Sequence, residues 1–448
     1  WKQDKALNEQ LENGVEVLTL DLTRKEIEKL ARTSKDLIGG IEPYLEPQPQ
    51  MASAMISSRI NPYALNYGAR QGDGVGIYTT EFACPNPGFM TNYTRLWAGV
   101  SSGILFDHSE WVHGVLRAAS PSSYVYCRAG AQLPLFSDLD GVNGNPPIYI
   151  SNISFGYYSL GKVYQVLDKR WDNFVYNHGV LVFGAAGNSE TVKVNGVDVV
   201  YKHVYSPSKG FNIITVGNYD DANDTIAPDS NFIDPQSKNQ KPELSAPGQK
   251  IVAGGHSASG TSAASPHAAA FAADLFSAYS WLRLKPAYSK AFMLAAAKKN
   301  INGGEDAVGV GGLDFYDGYY SATNTWWEGG NASFDYYDNH DSHPNSGYIE
   351  REVYLSSYMD DVQIAFSWLN RPEYTYWHQN DTHPIAMDMD IRVIDPNGNY
   401  VAGSSSWDNP YEVVRFNPAV SGTYTVKISR YANRDTSTKF HAGLSINW

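Results

Sequence analysis

The spacing of apolar positions changes regime along the chain. In the first 50 residues, positions 15–20 alternate as a strand does. Thr23-Arg24-Lys25-Glu26 then fits a capping box, and Ile27, Leu30 and Ala31 form a helical stripe. A short strand over 37–42 follows, and Pro43, Pro47 and Pro49 predict an extended linker after it. From about 55 to 324, strand-type runs alternate with helix-type runs, which predicts a parallel α/β sheet. The strand-type runs include 74–81, 124–127, 150–156 and 182–186, the last turning sharply at Gly187. The alanine-rich run 268–279 is apolar all round and predicts a buried helix. Beyond about 325 the helical period stops. Short alternating segments at 347–355, 361–368, 387–394, 413–416 and 423–429 predict strands, with Asp395-Pro396-Asn397-Gly398 as a turn between two of them. The fold class expected is α/β, a parallel sheet flanked by helices over 51–324, with an all-β sandwich over 325–448 and a small α+β segment over 1–50.

Composition changes this picture little. A length of 448 residues suits two or three domains. A net charge of −13 argues against nucleic acid as a partner. No apolar run is long enough to span a membrane. The 31 Tyr and 11 Trp suggest aromatic-rich surfaces or a β-rich module. Cys84 and Cys127 allow one bridge or two buried thiols. The chain opens on Trp1 without a methionine, so a signal peptide is expected to have been removed already.

The chemistry concentrates in Gly260-Thr261-Ser262-Ala263-Ala264-Ser265-Pro266-His267, which leads into the apolar helix. A serine at a helix mouth lies among unpaired backbone N–H groups, where negative charge is favoured. Its own amide could donate to the oxyanion of a tetrahedral intermediate. Gly260-Thr261-Ser262 alone fits an ordinary helix cap as well. The full run resembles the nucleophile signature of subtilisin-like serine proteases, the subtilases, and that resemblance makes further demands on the chain.

The resemblance implies a triad acid at the end of the first core strand. Glu81 stands there, where the family usually has aspartate, and is expected to orient the base. His108-Ser109-Glu110-Trp111-Val112-His113-Gly114 resembles the family's histidine helix, with His108, Val112 and Gly114 in register. His108 is thus the expected general base and His113 a structural bystander. Val182-Phe183-Gly184-Ala185-Ala186-Gly187-Asn188 resembles the stretch that supplies the oxyanion side chain, here Asn188. Asn188 with His108 separates the chain from the sedolisins, which place an aspartate at the oxyanion position. Ser154, Phe155 and Gly156 are implied on one side of a substrate cleft and Ala185, Ala186 and Gly187 on the other, with an extended peptide adding to the first as a strand. Lys241 to Gly248 and 309–316 complete the family pattern. The fold implied by the resemblance makes the strand before Cys84 and the strand carrying Cys127 parallel neighbours, and so implies a Cys84–Cys127 disulfide in an oxidising, secreted setting.

Residues 1–50 resemble the C-terminal half of a subtilase propeptide, with cleavage expected near 48–54 and the prosegment acting as inhibitor. Residues 325–448 resemble the jelly-roll module that follows many secreted bacterial peptidases. Such modules hold structural Ca²⁺ through clustered acids; Asp388 and Asp390 are the candidates here, with Asp335, Asp338 and Asp341 also in view, and a solvated acidic edge as the plain alternative. No cofactor is expected for the chemistry. The expected whole is a secreted, bacterial, monomeric serine endopeptidase acting on protein or peptide through an acyl-enzyme. The alternatives are a catalytically impaired binding protein on the same fold, or a protein whose main task is surface binding by the C-terminal module.

Overall fold

Residues 6–12, 15–20, 49–60, 71–130, 132–157, 162–194, 197–323, 325–330, 349–435 and 440–448 are described by a computed structural model. They fall into a unit ending at Gln48 and a unit over Pro49–Trp448. In the first, β1 (Ala6–Glu12) pairs antiparallel with β2 (Val15–Leu20). Sequence pattern predicts β2 only. The ALNEQLE of β1 carries no β-branched residue, so propensity does not announce it. The helix expected after Thr23 and the strand expected over 37–42 lie outside the described residues.

The second unit starts with helix α1 (Pro49–Ser57). The extended linker expected through Pro49 is corrected there. Proline suits the first helical position, where its missing N–H has no intrahelical acceptor anyway. Met51, Ala54 and Met55, spaced by three and four, are buried in the main core.

That core flanks a mostly parallel sheet. Its strands are β3 (Gly76–Glu81), β4 (Tyr93–Trp97), β5 (Tyr124–Ala129), β6 (Ile148–Ile153) and β7 (Leu181–Ala185). A separate hairpin, β8 (Glu190–Val194) and β9 (Val197–Tyr201), precedes β10 (Ile214–Asp220), β11 (Thr225–Ile226) and β12 (Leu244–Pro247). The order is β11-β10-β7-β6-β3-β5-β4, with β12 also paired to β10, and only β11 antiparallel. Every residue of β3 and β7 is buried, as strands covered on both faces must be. Helices α2 (Ile104–Ala119), α3 (Val166–His178) and α4 (Thr261–Ala278) join these layers, with α2 against α4 and α4 across β6, β7 and β10. From β3 the chain forms β4 and β5 on one side and returns to β6 on the other. The carboxyl ends at that reversal open a crevice, the usual place for a site in an open α/β sheet. A short hairpin, β13 (Ile251–Ala253) and β14 (His256–Ala258), lies between β12 and α4.

Cys84 and Cys127 form a disulfide with Cα atoms 5.8 Å apart, and β3 and β5 are the parallel neighbours that the resemblance implied. Beyond α4 come α5 (Pro286–Ala296) and α6 (Phe315–Thr323), then the β-rich region. Its strands are β15 (Thr325–Gly330), β16 (Ile349–Leu355), β17 (Val362–Trp368), β18 (Met387–Ile394), β19 (Tyr400–Ser404), β20 (Tyr411–Phe416), β21 (Gly422–Asn433) and β22 (Phe440–Asn447). They make two antiparallel sheets, β15-β22-β17-β20 and β16-β21-β18-β19, around a shared core that includes Ile364, Trp368, Met389, Tyr424 and Ile446. One helix interrupts them, α7 (Pro372–His378), which the strand pattern did not foresee.

The β-rich region is not hung on a free linker. Helix α5 is buried along its whole length and packs on β17 and β22. A Cβ at Gly443 would stand 2.4 Å from the Tyr288 Cα, so the strand approaches the helix too closely for any side chain. Gln363 Nε2 donates to the Leu294 carbonyl at 2.7 Å. Asn212 and Asn370 exchange two hydrogen bonds of 2.9 Å each. Buried Glu243 accepts from Lys241 at 2.7 Å and Lys290 at 2.9 Å, and Lys290 lies 5.1 Å from the Tyr411 ring of β20.

The disulfide closes a loop of 43 residues, for which the chain-entropy account gives about 4 kcal/mol of stabilisation. The Cys84→Ser/Cys127→Ser variant is therefore expected to unfold at clearly lower denaturant. Coincident urea transitions for variant and parent would contradict this.

Candidate active site

The predicted catalytic and oxyanion residues reach the crevice from different elements. Glu81 is the last residue of β3, 1% exposed. His108 lies in the first turns of α2, with a 30% exposed side chain. Ser154 directly follows β6, Asn188 closely follows β7, and Ser262 is the second residue of α4. These positions are the carboxyl ends of neighbouring parallel strands and the starts of two helices, which is why residues far apart in sequence share one edge.

His108 Nδ1 stands 3.2 Å from Glu81 Oε2. Burial on its own lowers the imidazole pKa. The Glu81 charge and hydrogen bond outweigh burial, and His108 ends above the ordinary histidine value. The second carboxylate oxygen of Glu81, Oε1, is buried without a partner among the described residues. His113, the competing histidine, is fully buried. Its Nε2 lies 2.9 Å from Thr79 Oγ1 and its Nδ1 2.7 Å from the Ser109 carbonyl, and burial drives it down to about 4. It is a neutral core residue with both ring nitrogens used.

The Ser262 hydroxyl donates to the Ser154 carbonyl at 2.9 Å. Its hydrogen bond therefore runs to the cleft wall and not to His108; nucleophile–base contacts often tighten only when substrate is bound. Behind Ser154, Asn152 Nδ2 donates to Ser154 Oγ at 2.9 Å and Ser265 Oγ donates to Asn152 Oδ1 at 2.7 Å. Asn188 Oδ1 accepts from the Thr261 amide at 3.0 Å and the Thr261 hydroxyl at 3.2 Å, while the Gly187 amide donates to Thr261 Oγ1 at 3.1 Å. With its oxygen held twice, the Asn188 amide has its Nδ2 left to donate. Gly260 has φ +151, a backbone that strains other residues, and its missing Cβ would crowd that Nδ2 at 3.0 Å.

Phe155 is buried against Phe82 and Tyr157, with ring centroids 5.1 and 6.0 Å away. Gly156 backs onto Tyr205. Ala185 and Ala186 are buried, and the Ala186 and Gly187 carbonyls already accept from Tyr205 and Asn231. That stretch is a wall and not a free edge. The clamp by Thr261, the Asn152–Ser265 brace and the 2.7 Å contact of buried His267 with Ser58 were not foreseen. Thr261, Ser265 and His267 sit inside the signature run, but their partners lie up to 209 residues away and sequence alone does not pair them.

Away from this edge, Asp388 and Asp390 lie on β18. Asp388 Oδ2 accepts from Arg434 at 2.9 Å, and burial together with the Asp388 charge pushes Asp390 up to about 6. Asp335, Asp338 and Asp341 lie outside the described residues.

Residues 119–319 match the subtilase family model (Peptidase_S8), a span that holds Asn188 and Ser262 but not Glu81 or His108. Among solved structures the chain is similar to a cold-adapted subtilisin-like serine proteinase, at 21% identity over 55% of this chain and 89% of that one, with a TM-score of 0.40. It is also similar to the Prenylagaramide maturation protease PagA, at 17% identity over 57% of this chain and 97% of that one, with a TM-score of 0.42. The match identifies residues 119–319 as a serine peptidase segment of the subtilase type.

Proposed function

We propose that the protein is a secreted endopeptidase working through a Glu81–His108–Ser262 triad. The observation that carries this reading is the 3.2 Å contact between His108 Nδ1 and Glu81 Oε2. It occupies one ring nitrogen and leaves Nε2 to act. Ser262 leaves the Ser154 carbonyl and attacks the scissile carbonyl as His108 Nε2 takes its proton. Glu81 steadies the imidazolium. The oxyanion accepts from Asn188 Nδ2 and the Ser262 amide. His108 returns the proton to the leaving amine, then activates the water that releases the acyl group. The substrate lies extended along Ser154, Phe155 and Gly156, with Ala185, Ala186 and Gly187 as the opposite wall.

Three domains over 1–50, 51–324 and 325–448 fit this reading. The boundary between Gln48 and Pro49, with α1 already buried, supports removal of the N-terminal segment before α1 and not within it. The Cys84–Cys127 bridge supports an oxidising, extracellular setting. Calcium at Asp388 and Asp390 would have to displace the Arg434 contact. A site without turnover is the second reading, favoured by the Ser262 hydrogen bond to Ser154.

Wild type is expected to take one serine-directed fluorophosphonate by intact mass, and Ser262→Ala none. An unlabelled wild type that stays unlabelled after its first 48 or so residues are trimmed would overturn the proposal in favour of the second reading. Asn188→Ala is expected to lower kcat by about 10²–10³ with little change in KM. A loss confined to KM would place Asn188 outside the oxyanion contact.

A further inference from the structure

Beside His108, three side chains with no part in the proposed hydrolysis converge from two elements. Asp107 lies in the first turn of α2 and Glu110 three residues on, on the same helix face. His256 opens β14, directly after the Gly254–Gly255 turn. Its Nε2 is 3.0 Å from Glu110 Oε2. One donor atom from each of the three lies within 4.8 Å of the other two.

The hairpin is held there independently of these three side chains. Gly254 has φ +58, and a Cβ on it would fall 2.2 Å from the Glu110 carbonyl oxygen. A Cβ on Gly114 would fall 2.2 Å from the Gly254 nitrogen. Trp111 Nε1 donates to the Ile251 carbonyl at 2.9 Å. The donors therefore face one another across a fixed seam between α2 and the hairpin.

We infer that Asp107, Glu110 and His256 form a binding site for a transition-metal dication of the zinc class. Ligands about 2.0–2.1 Å from a tetrahedral zinc stand about 3.4 Å apart, close to the His256–Glu110 spacing. One imidazole with two carboxylates suits zinc or a neighbouring first-row ion, with water in the fourth position. Calcium takes six to eight oxygens, and this set offers too few. The side chains of Glu110 and His256 are 19% and 30% exposed, so an ion can enter from solvent. Bound metal would join the helix that carries His108 to the hairpin that leads to Ser262. The site thus ties the helix carrying His108 to the segment preceding Ser262, outside the chemistry itself.

The test is calorimetric titration of Zn²⁺ into the full chain carrying Ser262→Ala, which prevents self-digestion, after treatment with chelator. One saturable site is expected, undisturbed by excess Ca²⁺. In that background His256→Ala and Glu110→Gln should each weaken binding by at least about tenfold. His378→Ala, which removes an exposed histidine paired with Asp381, should bind as the parent does. Matching thermal melts of the metal-free variants would show that the fold is intact. Absence of saturable binding, or parent affinity in His256→Ala, would overturn the proposal and leave His256–Glu110 as an ion pair alone. Neither outcome depends on hydrolysis, so the site and the peptidase reading stand or fall separately.

Discussion

A buried carboxylate at the end of a central strand sets the terms for everything around it. Glu81 is 1% exposed, and a charge placed so deep is costly unless a partner meets it. His108 is that partner. Meeting it requires α2 to start at the crevice, and that in turn requires the helix to lie against α4, whose mouth holds Ser262. Glutamate reaches one methylene further than aspartate would. One oxygen faces the imidazole while the other is left buried and unpaired among the described residues.

Around that pair, the site is built by bracing more than by reactive groups. Thr261 holds the Asn188 oxygen so that the nitrogen is aimed. Asn152 and Ser265 hold Ser154, whose carbonyl takes the Ser262 hydroxyl. Such supports keep donors aligned for the transition state without reorganisation during reaction. The β-rich region shares in this rigidity. It grips α5 through Gly443 and Gln363, and α5 carries Lys290 to the Glu243 carboxylate beside β12. The C-terminal sheets are therefore continuous with the core under the site.

Much of this was legible in the residues. Buried β7 (LVFGA) reads as a continuous apolar run, and the Ala-rich α4 as a largely apolar helix, because burial on all sides removes the polar stripe. Gly260 to His267, Ala185 to Asn188 and the register of His108 with Gly114 pointed, through the resemblance, to residues that the structure places along one edge of the sheet. What stayed hidden depends on contacts distant in sequence. Ser58 meets His267 and Asn212 meets Asn370, and neither pairing has a local signature. Pro49 reads as a linker because proline marks both linkers and helix starts, and burial of Met51 and Ala54 decides between them. Strand β19, with YVAGS half-exposed, and helix α7, within a β-rich stretch, were missed because tertiary packing outweighs weak local preference.

The central claim is that Glu81 sets the state of His108, and NMR titration of the His108 ring in wild type and Glu81→Gln tests it most directly. In wild type the carboxylate outweighs burial, so His108 should titrate above the ordinary histidine value. In Glu81→Gln burial remains and the charge is gone, so the midpoint should fall below that value. The neutral ring would then persist to lower pH, but the amide, able to donate as well as accept, would no longer fix the tautomer that leaves Nε2 free to take a proton. A midpoint unchanged by the substitution would contradict the account, because it would mean that Glu81 and His108 do not act as a pair.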